Sequence, residues 1–245
     1  MEKIDLLGVS FERKTIAEYK EELVRTLESH EQALVVTPNP EMLVAGQRHP
    51  QLRQVLNQAH LRVVDGFGIV LLSRFRLTRW PGVDVLKFLA WETKHKHLKL
   101  LIAGGRHAGD ATLASEQLTG VGYTPGRIEL TSNGWVGDEG LKACIEREKP
   151  DILVLGLGHG KQEQWLADHL KLFPFVKLGI GVGGAIEFFA GRQVRAPHLL
   201  RYAGLEWLYR LIREPRRILR IFTAVIIFPA LVFWKKITHT SHISS

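Results

Sequence analysis

Four segments of the chain hold the residues best suited to chemistry. In Asp65-Gly66-Phe67-Gly68 a carboxylate stands beside a glycine. A carboxylate so placed can orient a hydroxyl or accept its proton, and Gly66 gives close backbone access. A lone Asp-Gly is also an ordinary helix N-cap. Thr37-Pro38-Asn39-Pro40-Glu41 carries three hydrogen-bonding side chains in a turn stiffened by two prolines, and capping accounts for only one of them, Asn39. Gly156-Leu157-Gly158-His159-Gly160-Lys161-Gln162-Glu163 and Gly179-Ile180-Gly181-Val182-Gly183-Gly184 are glycine-rich. Backbone N–H groups in such turns can face phosphate oxygens. Tight strand–helix packing explains some of the second set.

These segments need strands and helices to bring them together. Short apolar runs without alternation predict strands at Ile4–Val9, Ala33–Thr37, Leu61–Val64, Leu98–Ala103, Arg127–Thr131, Asp151–Leu155 and Val176–Ile180. Such runs suit strands buried on both faces. Thr15-Ile16-Ala17-Glu18 is a capping box opening a helix. Helical patterns follow at Pro40, Pro50–Gln58, Phe67–Phe75, Val83–His95, His107–Leu118, Asp138–Glu148, Gln162–Leu170 and Ala185–Ala190. The alternation predicts an α/β fold: a Rossmann-like, mostly parallel sheet with helices on both faces. All four segments then lie at the carboxyl edge of the sheet, where open α/β sheets bind ligands. Two glycine-rich turns and two polar turns at one edge suggest a cleft for a nucleotide or nucleotide-sugar.

Several chemistries are excluded or disfavoured. The chain is not a P-loop protein, because no glycine lies five residues before Gly160 and Gln162 replaces Ser/Thr. The dinucleotide fingerprint fails because Lys161 occupies the third glycine position, which disfavours an NAD-dependent enzyme. No Gly-x-Ser-x-Gly elbow and no Asp-x-Asp occurs, so neither a serine hydrolase nor the usual divalent-metal site is expected. His95-Lys96-His97 reads as a solvated helix end, and no cofactor or metal is expected.

With 245 residues the chain can bury a full core. Its single cysteine, Cys144, excludes an intramolecular disulfide and predicts a reducing compartment. The start, Met1-Glu2-Lys3-Ile4-Asp5, lacks the pattern of a signal peptide. The net charge of +8 is confined to residues 192–245, which hold ten Lys/Arg against two acids, while residues 1–191 are balanced. We therefore expect a core at 1–191 and a basic appendage at 192–245, the latter facing an anionic partner. In the appendage Ala203–Arg213 and Arg216–Lys236 read as helices, with Arg210, Arg213, Arg217 and Arg220 in one stripe. Ile221–Trp234 is an uncharged run of fourteen residues, interrupted by Pro229 and short of the ~18–20 that span a bilayer. It fits an interfacial anchor, with Phe222, Phe228, Phe233 and Trp234 in the acyl boundary. Docking on the body or on a second copy of the chain is the alternative. Lipid suits this apolar run better than nucleic acid does.

Taken in order, these residues resemble the WecG/TagA/CpsF glycosyltransferase family. The likeness extends to Arg79-Trp80-Pro81-Gly82-Val83-Asp84, to Arg195-Ala196-Pro197, to 204–211 (Gly-Leu-Glu-Trp-Leu-Tyr-Arg-Leu) and to Glu214-Pro215-Arg216-Arg217. Two positions depart from the family pattern: Gly160 stands where Pro is usual, and Glu187 where Asp is usual. The resemblance implies an inverting, metal-independent transferase that moves a sugar, N-acetylmannosamine or its uronic acid, from UDP to undecaprenyl-diphosphate-linked GlcNAc. Other members make capsule or exopolysaccharide, so transfer of another UDP-sugar, such as glucose, is the alternative. It implies Asp65 as general base with Thr37 beside it. It also implies Asn39, Arg79 and Gln162 in the pocket, and Arg210, Arg217 and Arg220 on the acceptor diphosphate. Gly156, Gly158, Glu163, Gly183 and Gly184 complete the expected substrate contacts. The enzyme is then expected on the cytoplasmic side, peripheral on the inner face of the bacterial plasma membrane. A non-catalytic, membrane-tethered nucleotide-binding module is the rival reading.

Overall fold

The computed structural model describes residues 2–29, 31–194, 196–197, 199–200, 206–213 and 218–241. The main sheet is built from β3 (Ala33–Val36), β4 (Leu61–Arg62), β5 (Leu100–Gly104), β6 (Val121–Tyr123), β9 (Ile152–Gly156) and β10 (Leu178–Gly181). Their order across the sheet is β4-β3-β10-β9-β5-β6, and every neighbouring pair is parallel. The α/β expectation is met, with two small antiparallel hairpins beside the parallel sheet.

Strand pleat divides the core in two. Leu34, Val36, Leu101, Ala103, Leu153 and Leu155 point into one apolar cluster. Their sequence neighbours Val35, Leu100, Ile102, Ile152 and Val154 point into the other. Successive side chains alternate sides of a strand, so continuous apolar runs are what a two-sided sheet requires. On the second face lie α1 (Ile16–Glu28), α5 (Gly82–His95), α6 (Asp110–Leu118) and α9 (Ala185–Phe189). On the first lie α2 (Pro40–Arg48), α3 (Pro50–Gln58), α4 (Phe67–Leu72), α7 (Glu139–Glu148) and α8 (Lys161–His169). The capping box at Thr15 and Glu18 forms as its spacing requires.

Two strand assignments are corrected. Ile4–Val9 is not one strand of the sheet but parts of β1 (Lys3–Leu6) and β2 (Val9–Glu12), an antiparallel hairpin. Its turn places Leu7 at φ 57° and Gly8 at φ 81°. The Asp5 carboxylate accepts the Gly8 N–H at 3.0 Å. Arg127–Thr131 supplies only β7 (Glu129–Thr131), which pairs with β8 (Gly134–Val136) away from the main sheet. The sheet edge is instead the three-residue β6.

The C-terminal part also departs from expectation. After α10 (Glu206–Arg213), α11 (Ile218–Phe222) runs through a π turn at Thr223–Ile227 into α12 (Phe228–Ser241) without a break. Pro229 does not interrupt it. A helical proline lacks the N–H and crowds the carbonyl four residues back. Here that carbonyl belongs to Val225, inside the widened π turn. The helix is therefore longer than its uncharged run. Its stretch Ile218–Lys235 has mean hydropathy 1.9 and is long and apolar enough, by length and composition, to cross a membrane.

One face of this helix packs on the body. Phe228 is fully buried and Val232 nearly so, in the core shared with α2 and α4. Phe228 is thus a docking residue and not part of an acyl-facing surface, as its sequence setting had suggested. The other three expected membrane-facing aromatics, Phe222, Phe233 and Trp234, are exposed.

Candidate active site

The carboxyl ends of β3, β4, β5, β9 and β10 open into one cavity of about 870 Å³. Residues of α4, α10 and the C-terminal helix complete its wall. Thr37, Asn39, Asp65, Arg79, Gly156, Gly158, Gln162, Gly183, Gly184 and Arg220 all line it. The topology therefore gathers segments more than a hundred residues apart in sequence.

Asp65 sits three residues past β4, and its backbone is held from both sides. Its N–H donates to the Pro38 carbonyl at 3.1 Å, and its own carbonyl accepts the Arg79 Nε–H at 2.6 Å. Gly66 is what lets this turn meet the Thr37–Glu41 turn. A Cβ there would lie 2.2 Å from Pro40 Cδ, closer than any side chain tolerates. Gly82 marks the far side, since a Cβ on it would stand 3.9 Å from both Asp65 Oδ2 and Thr37 Cγ2. The Asp65 carboxylate and Thr37 thus flank one small space. Thr37 is buried and donates its hydroxyl to the Gly181 carbonyl at 2.8 Å, tying β3 to β10. Its hydroxyl oxygen keeps lone pairs for a ligand. Asn39 uses Oδ1 to cap α2, accepting the Met42 N–H at 3.0 Å, and still reaches the cavity wall.

Gln162 joins the two glycine-rich turns. Its Oε1 accepts the Gly183 N–H at 3.2 Å, and its Nε2 donates to Glu163 Oε1 at 2.6 Å. Glu163 is a correction to the expected substrate contacts. It is fully buried, lies outside the cavity wall, and caps its own helix by accepting the Gly160 N–H at 2.8 Å. Glycine at 160 is matched to its conformation, since φ is +81°, which proline cannot adopt.

Burial pushes the Glu163 carboxyl up to about 7, against hydrogen bonds from Gln162 and Gly160 that favour the anion. The ordinary value is 4.5. Between those pH values the folded chain holds a proton that the unfolded chain releases, so this group's contribution to stability falls as pH rises through that window. Glu163→Gln removes the titration. We expect its melting temperature to lie below wild type at acidic pH, because one of two buried donors loses its acceptor. We also expect a flatter dependence on pH between about 4.5 and about 7. Thermal unfolding across that range checks this; an unchanged slope contradicts it.

Among the described residues six arginines line the cavity (Arg79, Arg106, Arg127, Arg192, Arg213 and Arg220) against three acids (Glu41, Asp65 and Glu187). Three of these arginines are ion-paired: Arg127 with Glu129, Arg192 with Asp110 and Arg220 with Glu41. Arg106, Arg127, Arg192 and Arg213 were not among the expected site residues. Gly104-Gly105-Arg106 offered a signal, being one more glycine turn after a predicted strand. Arg192 is held by buried Asp110 at 3.2 Å. Burial works against the Asp110 anion, but the His107 N–H and Arg192 outweigh it and lower the carboxyl's pKa. Arg220 donates from Nε to Glu41 at 2.7 Å and also contacts His159. Arg210 lies on α10. Arg217 lies outside the described residues. Glu187 is a buried residue of the cavity lining, and its buried Oε2 has no hydrogen-bond partner among the described residues. Among those residues no group of three or more His, Cys, Asp and Glu is placed to hold a metal ion.

An open parallel sheet with an arginine-rich cavity at its carboxyl edge defines an α/β protein with a polar cleft that sets cations beside a carboxylate. The model of the glycosyl transferase WecG/TagA/CpsF family matches residues 4–242, and the chain belongs to that family of glycosyltransferases. It is similar to a Staphylococcus aureus (strain MRSA252) protein named N-acetylglucosaminyldiphosphoundecaprenol N-acetyl-beta-D-mannosaminyltransferase. The two are 32% identical over 231 residues, covering 89% of this chain and 88% of that one. The protein of the same name from strain MW2 is 30% identical over 228 residues, with the same coverage.

Proposed function

We propose that this enzyme transfers N-acetylmannosamine from a UDP-sugar to undecaprenyl-diphosphate-linked GlcNAc, in the synthesis of a cell-surface polysaccharide. The observation that carries the reading is the Asp65 carboxylate beside Thr37 in an arginine-lined cavity. The relatives' shared name supplies the substrates.

In the proposed reaction the acceptor hydroxyl gives its proton to Asp65 while its oxygen attacks the donor's anomeric carbon. The bond from that carbon to the diphosphate oxygen breaks, and UDP leaves with the electron pair. One displacement inverts the centre. Inversion agrees with the beta product in the relatives' name, because UDP-hexosamine donors of this kind are alpha-linked. Arg79 and N–H groups of the Gly156–Gly160 and Gly181–Gly184 turns offset charge on the leaving diphosphate. Arg210, Arg217 and Arg220 meet the acceptor's diphosphate, for which the guanidinium fork is well shaped. No metal is required in this scheme.

We place residues 192–245 as an appendage holding the enzyme on the inner face of the plasma membrane. The burial of Phe228 and Val232 against the body supports lying on the membrane over crossing it. A panel of UDP-sugars with GlcNAc-diphosphate-undecaprenol, with and without a chelator, tests all of this. UDP-N-acetylmannosamine is expected to give a beta-linked product in both conditions. No product with any donor would leave a tethered nucleotide-binding module. Loss of activity on chelation, reversed by a divalent cation, would end metal independence.

A further inference from the structure

The cavity has two chemically distinct ends. Thr37, Asp65, Arg79 and Gln162 line the end at the strand termini. The wall made by α4 and the C-terminal helix is apolar apart from Arg220: Phe67, Leu71 and Leu72 from one, Ile221, Val225 and Pro229 from the other. The last three recur at every fourth position and form one line along their helix. A separate line, Phe228 and Val232, docks that helix on the body. A third set, including Leu219, Phe222, Ile226 and Phe233, faces outward and is exposed. Gly68 of α4 stands next to the C-terminal helix. A Cβ on it would lie 3.6 Å from Phe228 Cδ1 and 3.7 Å from the Ala224 carbonyl.

The geometry points to this apolar channel between α4 and the C-terminal helix as the binding site for the first isoprene units of the acceptor's polyprenyl chain. The inference rests on the substrate reading above and deepens it. Continuity argues for this occupant. The channel opens from the catalytic cavity, and Arg220 stands where the polar and apolar walls meet. A diphosphate carrying a sugar on one side and a hydrocarbon on the other needs that order of surfaces: hydroxyl-binding, cationic, apolar. The outward residues then face the bilayer while the proximal chain is held by protein, so the membrane and the channel hold different parts of one lipid.

The test is photolabelling with GlcNAc-diphosphate-polyprenol carrying a diazirine on its first isoprene unit, in detergent micelles, with labelled residues mapped by mass spectrometry. Label is expected on α4 and on the Ile221–Pro229 line, and Val225→Asp is expected to reduce it about tenfold, the order expected from losing one or two buried methylenes' worth of contact. Val225→Trp, which fills the channel without charge, is expected to do the same. Label confined to Phe222, Phe233 and Trp234 would overturn the channel and leave the chain in the micelle. So would equal labelling of wild type and both variants. Labelling does not depend on turnover. A wild-type enzyme that labels in the channel yet gives no product with any UDP-sugar therefore refutes the reaction and retains the channel.

Discussion

Asp65→Asn is expected to lower turnover by about 10²–10⁴-fold, the range a positioned general base contributes. The substitution keeps the side chain's size. The backbone at residue 65 is held through its own N–H and carbonyl, by Pro38 and Arg79, so neither anchor depends on the carboxylate. What is lost is the ability to take a proton from the attacking hydroxyl. UDP affinity is expected to change little, because the arginines and the glycine-rich turns proposed to meet its phosphates remain. Steady-state kinetics with the lipid-linked acceptor, together with calorimetric binding of UDP, separates the two effects. Turnover near wild type would remove Asp65 from the proton transfer. A parallel loss of UDP binding would make it a binding group and leave the base unassigned.

Much of this site was legible in the sequence, because α/β topology sends every strand's carboxyl end to one edge. Once Ala33–Thr37, Leu61–Val64, Asp151–Leu155 and Val176–Ile180 read as buried strands, the turns after them had to converge. Thr37, Asp65 and Gln162 followed from that rule without knowledge of strand order. What stayed hidden depends on features with no local signature. The β1–β2 hairpin is the exception: Gly8, at φ 81° beside Leu7 at φ 57°, did signal a turn, but the apolar residues on either side read as one continuous run. The edge strand β6 has three residues with Gly122 at its centre, too little for a pattern. Glu163 sat beside Gln162 in a motif. One neighbour turns to the cavity and the other to the helix cap, and sequence spacing does not distinguish them. The charge asymmetry misled in part. Residues 1–191 carry no net charge, yet the fold brings Arg79, Arg106 and Arg127 to one cavity, which the charge balance of the sequence does not reveal. Phe228 was hidden for a related reason. Within an apolar helix, a residue facing protein and one facing solvent or lipid are the same letter.

Phe228→Ala is expected to detach the C-terminal helix without unfolding the sheet. Truncating a fully buried phenylalanine costs about 3–5 kcal/mol. The loss falls on the contact between this helix and α2 and α4, since that is where the side chain is buried. A cost of that size shifts the docked-to-detached ratio by about 10²–10⁴. The remaining contacts are poorly placed to resist. Arg220 and Glu41 are partly solvated, with side chains 38% and 25% exposed, and such a pair is worth about 1 kcal/mol or less. Val232 is the only other buried hydrophobic on the described part of the helix. Hydrogen exchange should therefore show protection lost across 218–241 and kept in β3, β9 and β10. Because Ile221, Val225, Pro229 and Arg220 leave the cavity together, catalytic efficiency with the lipid-linked acceptor should fall at least about tenfold, while UDP affinity falls less. Retained protection with normal activity would show that the helix is held by something other than its buried aromatic. Lost protection with normal activity would show that the helix is dispensable for the acceptor, and the apolar wall would then have no part in catalysis.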